Sequence, residues 1–191
     1  MNLWNVQSSF YNFLRSLPGI RTFYQKEINN CKTLLGKIKL PETVLDLGTG
    51  TGSSLSIFPP KIQICLDSSL PMLQKIRGNE GYLKINGDAS LLPIKKASVS
   101  FISAIGLTEY IKNKSECLKQ INTCLTPNGF LLITISHPCF LNKLRNLTGH
   151  PIHTISEADW ERLLTQNGFK NCGKTPSPLQ TQYLLQKVFS L

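Results

Sequence analysis

The chain reads as an α/β fold: one doubly wound, mostly parallel seven-stranded sheet with an antiparallel C-terminal hairpin strand and helices on both faces. Three observations predict it. Short apolar runs alternate with segments of helical periodicity, the pattern of parallel strands joined by crossover helices. The first such run, Val44-Leu45-Asp46-Leu47, turns directly into the glycine-rich Gly48-Thr49-Gly50-Thr51-Gly52. The last two strand-like runs, near 169–174 and 180–189, are separated only by 175–179. That is too short for a crossover and long enough for a hairpin. The layout is Rossmann-like.

Size and composition agree with one domain. The 191 residues can bury a sizeable core, and 41% hydrophobic with 17% charged residues is globular rather than disordered. No run of eighteen apolar residues occurs, which argues against a membrane span, and the N-terminus lacks the basic-then-apolar order of a signal peptide. Six scattered cysteines, with no C-x-x-C pair, read as free thiols rather than disulfides or metal ligands. A cytoplasmic location is expected, with no metal.

The elements follow in order. Apolar positions at helical spacing run over 4–39 and break into two helices at Pro18-Gly19. Residues 1–40 therefore form an N-terminal helical lid on a core of 41–191. Pro41 leads into the first strand at 43–47, and the loop 48–52 opens a short helix ending by Pro59-Pro60. A second strand covers 61–66 and stops at Asp67, with Ser68 or Ser69 capping the next helix and Pro71 early in it. Strands at 82–86 and 99–104, a helix at 115–125 and a strand at 130–135 follow, the last after the turn Pro127-Asn128-Gly129. Ser156 and Asp159 mark a helix start, and Gly168 its end.

The glycine loop carries the chemistry. Glycines at 48, 50 and 52 let the backbone turn and approach a ligand closely. Asp46 stands near the carboxyl end of its strand, where open α/β sheets bind ligands. A carboxylate there repels a pyrophosphate and suits an ammonium or sulfonium. The spacing G-x-G-x-G also differs from the dinucleotide pattern G-x-G-x-x-G. These features point to S-adenosylmethionine (SAM). Asp67 and Asp88 stand at the ends of the next two strands; taken alone, Asp88 after Gly87 also reads as a turn former.

With Asp46-x-Gly48-x-Gly50-x-Gly52, Asp67 followed by Ser69 and Met72-Leu73, Gly87-Asp88-Ala89 and Leu125-Thr126-Pro127-Asn128-Gly129 in order, the chain resembles class I SAM-dependent methyltransferases. Within them it looks like the small type 11 group related to ubiquinone/menaquinone methyltransferases. The match is good over about residues 40–136, with Asn128 in place of the family's first glycine. The resemblance implies that Gly48, Thr49, Gly50 and Gly52 wrap the cofactor, and that Asp46 holds its amino group directly or through water. It implies that Asp67 accepts both ribose hydroxyls, with Ser68 beside it. Asp88 and Ala89 would read the adenine edge. Met72, Ile105 and Leu107 would supply apolar contacts.

The acceptor side is less specified. After the fourth strand the chain lacks the Asn/Asp-Pro-Pro-aromatic tetrad of methyltransferases acting on adenine or glutamine amides. Glu109 is a candidate base, although Glu109-Tyr110 also reads as a helix start. His137, a histidine just after the fifth strand, is a second candidate. Tyr11, beside Trp4, Phe10 and Arg15, looks like a lid-helix tyrosine and is a third; a plain packing helix is the other reading of that segment. His150 and His153 read as lid-shaping residues, and Cys139 lacks the surroundings of a nucleophile.

Function follows as direct methyl transfer to a small-molecule or lipid/quinone-like acceptor. A net charge of +10, with no block of consecutive basic residues, also admits an RNA or protein substrate and peripheral contact with an anionic membrane. A non-catalytic SAM-binding scaffold is the reading from another class. No stable protein partner is expected.

Overall fold

The computed structural model describes residues 18–58, 62–77, 81–139, 142 and 151–188. Seven strands form one sheet: β1 (Thr43–Leu47), β2 (Ile62–Asp67), β3 (Tyr82–Asn86), β4 (Val99–Ala104), β5 (Leu125–Ser136), β6 (Phe169–Pro176) and β7 (Gln180–Lys187). Their order is β3-β2-β1-β4-β5-β7-β6. The first five run parallel, and β7 pairs antiparallel with both β5 and β6. The chain winds outward from β1 through β2 to β3, then returns to the other side of β1 with β4. The switch in direction lies between β1 and β4, the crevice where open α/β sheets take ligands.

Strand alternation puts a core on each face of the sheet. On one face Val44, Phe101, Leu132 and Leu184 pack against Ile28, Cys31, Leu34 and Leu35 of α1 (Pro18–Leu35). On the other, Leu45, Ile102, Leu131, Ile133 and Leu185 meet Cys117, Leu118 and Ile121 of α3 (Lys114–Cys124) and Trp160 and Leu164 of α4 (Glu157–Gln166). A third, smaller group joins Leu55, Cys65 and Ile76 to Leu73 of α2 (Leu70–Gln74). Helices thus cover both faces, as the alternating pattern predicts.

Local signals set several helix starts. Asn113 caps α3 by accepting from the Glu116 amide at 3.1 Å, and Ser156 caps α4 by accepting from the Asp159 amide at 3.2 Å. Ser69 takes the N-cap position of α2 without a side-chain cap bond, with proline in the first turn. The loop after β1 differs from expectation. No α-helix follows Gly52; a single 3-10 turn, η1 (Leu55–Ile57), takes its place. Strand β5 begins five residues early because the Pro127-Asn128-Gly129 turn is absorbed as an irregularity between Val99↔Leu125 and Phe101↔Phe130, with Asn128 at φ 59°.

Among the described residues no helix is long and apolar enough to cross a membrane. All six cysteines are free.

Candidate active site

A cavity of about 320 Å³ opens above the carboxyl ends of β1, β2 and β4, at the topological switch. That volume is at the lower end of the range of small-molecule sites, roughly 300–1,000 Å³. Its floor is the glycine loop. The Gly48 and Thr49 amides both reach the Leu66 carbonyl, at 2.8 and 3.2 Å, which ties the loop to β2. Gly48 sits at φ 67°, and a Cβ there would come within 2.9 Å of Leu107 Cδ1. Only glycine lets Leu107 close over the loop this tightly.

Asp67 is the central polar group of the wall. Its Oδ2 accepts from the Gly50 amide at 2.8 Å and its Oδ1 from the Ser69 amide at 2.8 Å. Burial raises its carboxyl above the usual range, and the two amides offset that rise only in part. Each oxygen keeps lone-pair capacity on the cavity side, the arrangement that accepts a pair of vicinal hydroxyls. Ser68 and Met72 line the cavity beside it, with Met72 facing Gly50.

The opposite end is formed by Gly87, Asp88 and Ala89. Oδ1 of Asp88 accepts from both the amide and the hydroxyl of Ser90, at 2.8 and 2.5 Å, which fixes the turn and leaves the carboxylate exposed. The third wall is Gly106, Leu107, Tyr110 and Ile111. Gly106 has φ 70° and donates its amide to Thr134 Oγ1 at 2.7 Å. Gly106 and Ile111 are additions that the sequence reading did not name. A glycine two residues after β4 was the available signal for the first.

Four residues assigned to the cofactor stand behind the wall rather than in it. Asp46 is 1% exposed; Ser54 donates to its Oδ2 at 2.8 Å and Ser103 to its Oδ1. Burial pushes its carboxyl up to about 6 despite these hydroxyls, and neighbouring Asp67 adds to the rise. The carboxylate thus clamps the glycine loop to β4. Thr49 turns its hydroxyl onto the Asp46 carbonyl at 2.8 Å. Gly52 packs against Leu55 and Ile76. Ile105 packs with the α1-side core, because strand alternation sends it away from the cavity.

The base candidates lie towards β5 and β7. His137 Nε2 is 2.6 Å from Thr181 Oγ1, and Asn142 donates to its carbonyl at 2.8 Å. Glu109, in η2 (Thr108–Tyr110), is 3% exposed and accepts from the Ser136 hydroxyl and, at 3.2 Å, from Gln180 Nε2. Neither lines the cavity. His153 holds the Glu109 carbonyl through its amide at 2.7 Å. Tyr11, Trp4, Phe10, Arg15 and His150 lie outside the described residues. Among the described residues no cluster of three metal-binding side chains occurs.

The fit to a sulfonium-bearing nucleoside is chemical. The floor lacks Cβ atoms where it must be approached closely, an acceptor-rich carboxylate faces the cavity, and Asp67 and Asp88 give it a negative field.

Comparisons with known proteins agree. The profile described as "Methyltransferase domain" matches residues 20–172. The chain is 34% identical over 115 residues to a malonyl-[acyl-carrier protein] O-methyltransferase of Xylella fastidiosa, covering 56% of this chain and 39% of that protein. It thus spans about two-fifths of the length of that relative. Among solved structures it resembles one from the complex between the Haloferax volcanii Trm112 methyltransferase activator and a methyltransferase. The TM-score is 0.77 at 16% identity, covering 99% of both chains. It also resembles magnesium protoporphyrin IX methyltransferase of Synechocystis with bound SAH, at TM-score 0.69 and 18% identity, covering 88% and 85%.

Proposed function

Because the chain belongs to this methyltransferase family, we propose that it moves a methyl group from SAM by direct displacement onto a small-molecule or lipid-like acceptor. The observation that carries the reading is Asp67: a cavity-wall carboxylate whose two oxygens are each oriented by one backbone amide. Asp67 accepts the ribose hydroxyls, and Asp88 with Ala89 meets the adenine edge. Gly48 and Gly50 admit the methionine portion, with Met72 and Leu107 as apolar walls. Thr49, Gly52 and Ile105 support this shell from behind. Asp46 reaches the amino group only through water, since both its oxygens hold serine hydroxyls.

The bound cofactor supplies an activated methyl group, so the protein's work is largely alignment. An already ionised acceptor needs no base, and neither Glu109 nor His137 lines the cavity. A carboxylate oxygen on an acyl chain is therefore the acceptor to test first, in keeping with the name of the Xylella relative. If the acceptor must lose a proton, His137, Glu109 and Tyr11 are the residues to examine. Residues 1–40 are proposed as a lid on the core of 41–191. The described helix of that segment, α1, packs along the sheet.

The charge of +10 favours a second reading, an RNA or protein acceptor, with contact to anionic membranes as a further option for the basic surface. RNA methylation with a steep salt dependence would support it. Free thiols support the cytoplasm as its location. Turnover without a stable protein partner is also proposed. The Haloferax volcanii structure is a complex with an activator, so turnover by the chain alone is the test.

Calorimetric titration with SAM and its demethylated product, SAH, on wild type and Asp67→Ala tests the cofactor site. Absence of binding to wild type overturns it. Transfer of tritiated methyl into fractions of carboxylic acids, lipids, RNA and proteins then identifies the acceptor.

A further inference from the structure

We propose that Glu109 is a positioning residue that couples the cofactor cavity to the ends of β5 and β7. It stands within the segment that forms the wall: Leu107, two residues before it, and Tyr110, the next residue, line the cavity. Its side chain turns away, into a buried junction between the ends of two strands. Ser136, the last residue of β5, and Gln180, the first of β7, both donate to Glu109 Oε2, and Gln180 Nε2 is also 3.4 Å from Ser136 Oγ. The junction continues through the main chain. The Glu109 carbonyl accepts from the His153 amide at 2.7 Å, and the Ser136 carbonyl from the Ile155 amide at 3.3 Å.

One residue thus joins η2, β5, β7 and the segment 151–156. A carboxylate taken out of water is tolerated only where donors hold it, and those donors dictate its direction. The hold on Glu109 fixes the direction of the turn, and the turn presents Leu107 to the glycine loop, where a Gly48 Cβ would lie 2.9 Å from it. A disturbance at the β5 and β7 ends is thereby felt at the cofactor cavity.

The proposal rests on the reading that the cavity takes SAM. Its test is the affinity for SAH, by calorimetry, of Glu109→Ala, Glu109→Gln, Ser136→Ala and Gln180→Ala. Asp67→Ala serves as a control for the site and Leu164→Ala, in the core, as a control for stability. Glu109→Ala should weaken SAH about tenfold, the loss of one charge-assisted hold. Glu109→Gln should stay within about threefold of wild type, since its amide oxygen still accepts from Ser136 while the Gln180 amide turns. Hydrogen exchange at residues 106–111 should rise in Glu109→Ala and not in Leu164→Ala, which loses stability without loosening the wall.

The proposal is overturned if Glu109→Ala binds SAH as wild type does, or if Glu109→Gln is as weak as Glu109→Ala. Should Glu109→Ala fail to fold, Ser136→Ala and Gln180→Ala report on the same junction, and wild-type affinity in both overturns it. If Asp67→Ala binds as wild type, the cofactor reading of the cavity falls and the proposal with it. If only Asp67→Ala is weakened, the coupling alone falls.

Discussion

The two ends of the site are built by different means. Towards β1–β3, the cavity is made from main chain and carboxylates within short windows. Gly50 lies 17 residues from Asp67, and the Ser69 amide only two residues from it. Towards β5 and β7, the polar contacts are between side chains far apart in the chain. Glu109 meets Ser136 and Gln180 across 27 and 71 residues, and His137 meets Thr181 across 44. A backbone-built site depends on strand ends and on a few positions where a Cβ is forbidden. A side-chain-built site depends on how distant strands happen to pair.

The largest expected effect tests the backbone-built end. Asp67→Ala should weaken SAH by about a hundredfold or more, because it removes acceptors for two hydroxyls and strands the Gly50 and Ser69 amides. A loss under tenfold by calorimetry would remove Asp67 from its central role.

The next effect concerns pH. The Asp46 carboxyl lies at about 6 in the folded chain, against about 3.9 unfolded. Between these values the folded state binds more protons than the unfolded one. Asp46 therefore contributes stability that is fully present below about pH 4 and lost as pH rises through about 6, by up to about 3 kcal/mol. Urea unfolding of Asp46→Asn should lack this fall over pH 4–6.5. A slope equal to wild type would show that other groups set it.

Smaller effects separate the ends further. Gly50→Ala places a Cβ at φ 56° and should cost about 1–2 kcal/mol by chemical denaturation, with weaker SAH binding. His137→Ala removes the contact to Thr181 and should cost about 1 kcal/mol of stability, while SAH affinity stays within about twofold. A tenfold loss of SAH binding in His137→Ala would break the distinction between the two ends.

The contrast also explains what could be read from the chain. Strand positions, the hairpin, the helix cap at Ser156, and the acids at successive strand ends are local patterns, and they appear in the fold close to where the residues predict them. The glycine loop was legible as a ligand floor, but the 3-10 turn after it was not, since positive φ at Gly50 and Gly52 interrupts the helical path. Asp46 illustrates a deeper limit. Nothing near it in the chain announces that Ser103, 57 residues away on β4, will claim one of its oxygens. Ile105 shows a related limit: it follows the end of β4, and the side-chain parity carried on from that strand packs it against the α1-side core.

The sequence by itself determined the fold class, the doubly wound order and the family, because strand burial, turn glycines and acids at strand ends are encoded in runs of a few residues. Only the tertiary structure decided which of those residues face the cavity and which brace it, and that Glu109 belongs to a junction of four segments. The physical reason is that a buried carboxylate points wherever its donors are, and those donors come from strands that become neighbours only when the sheet is assembled.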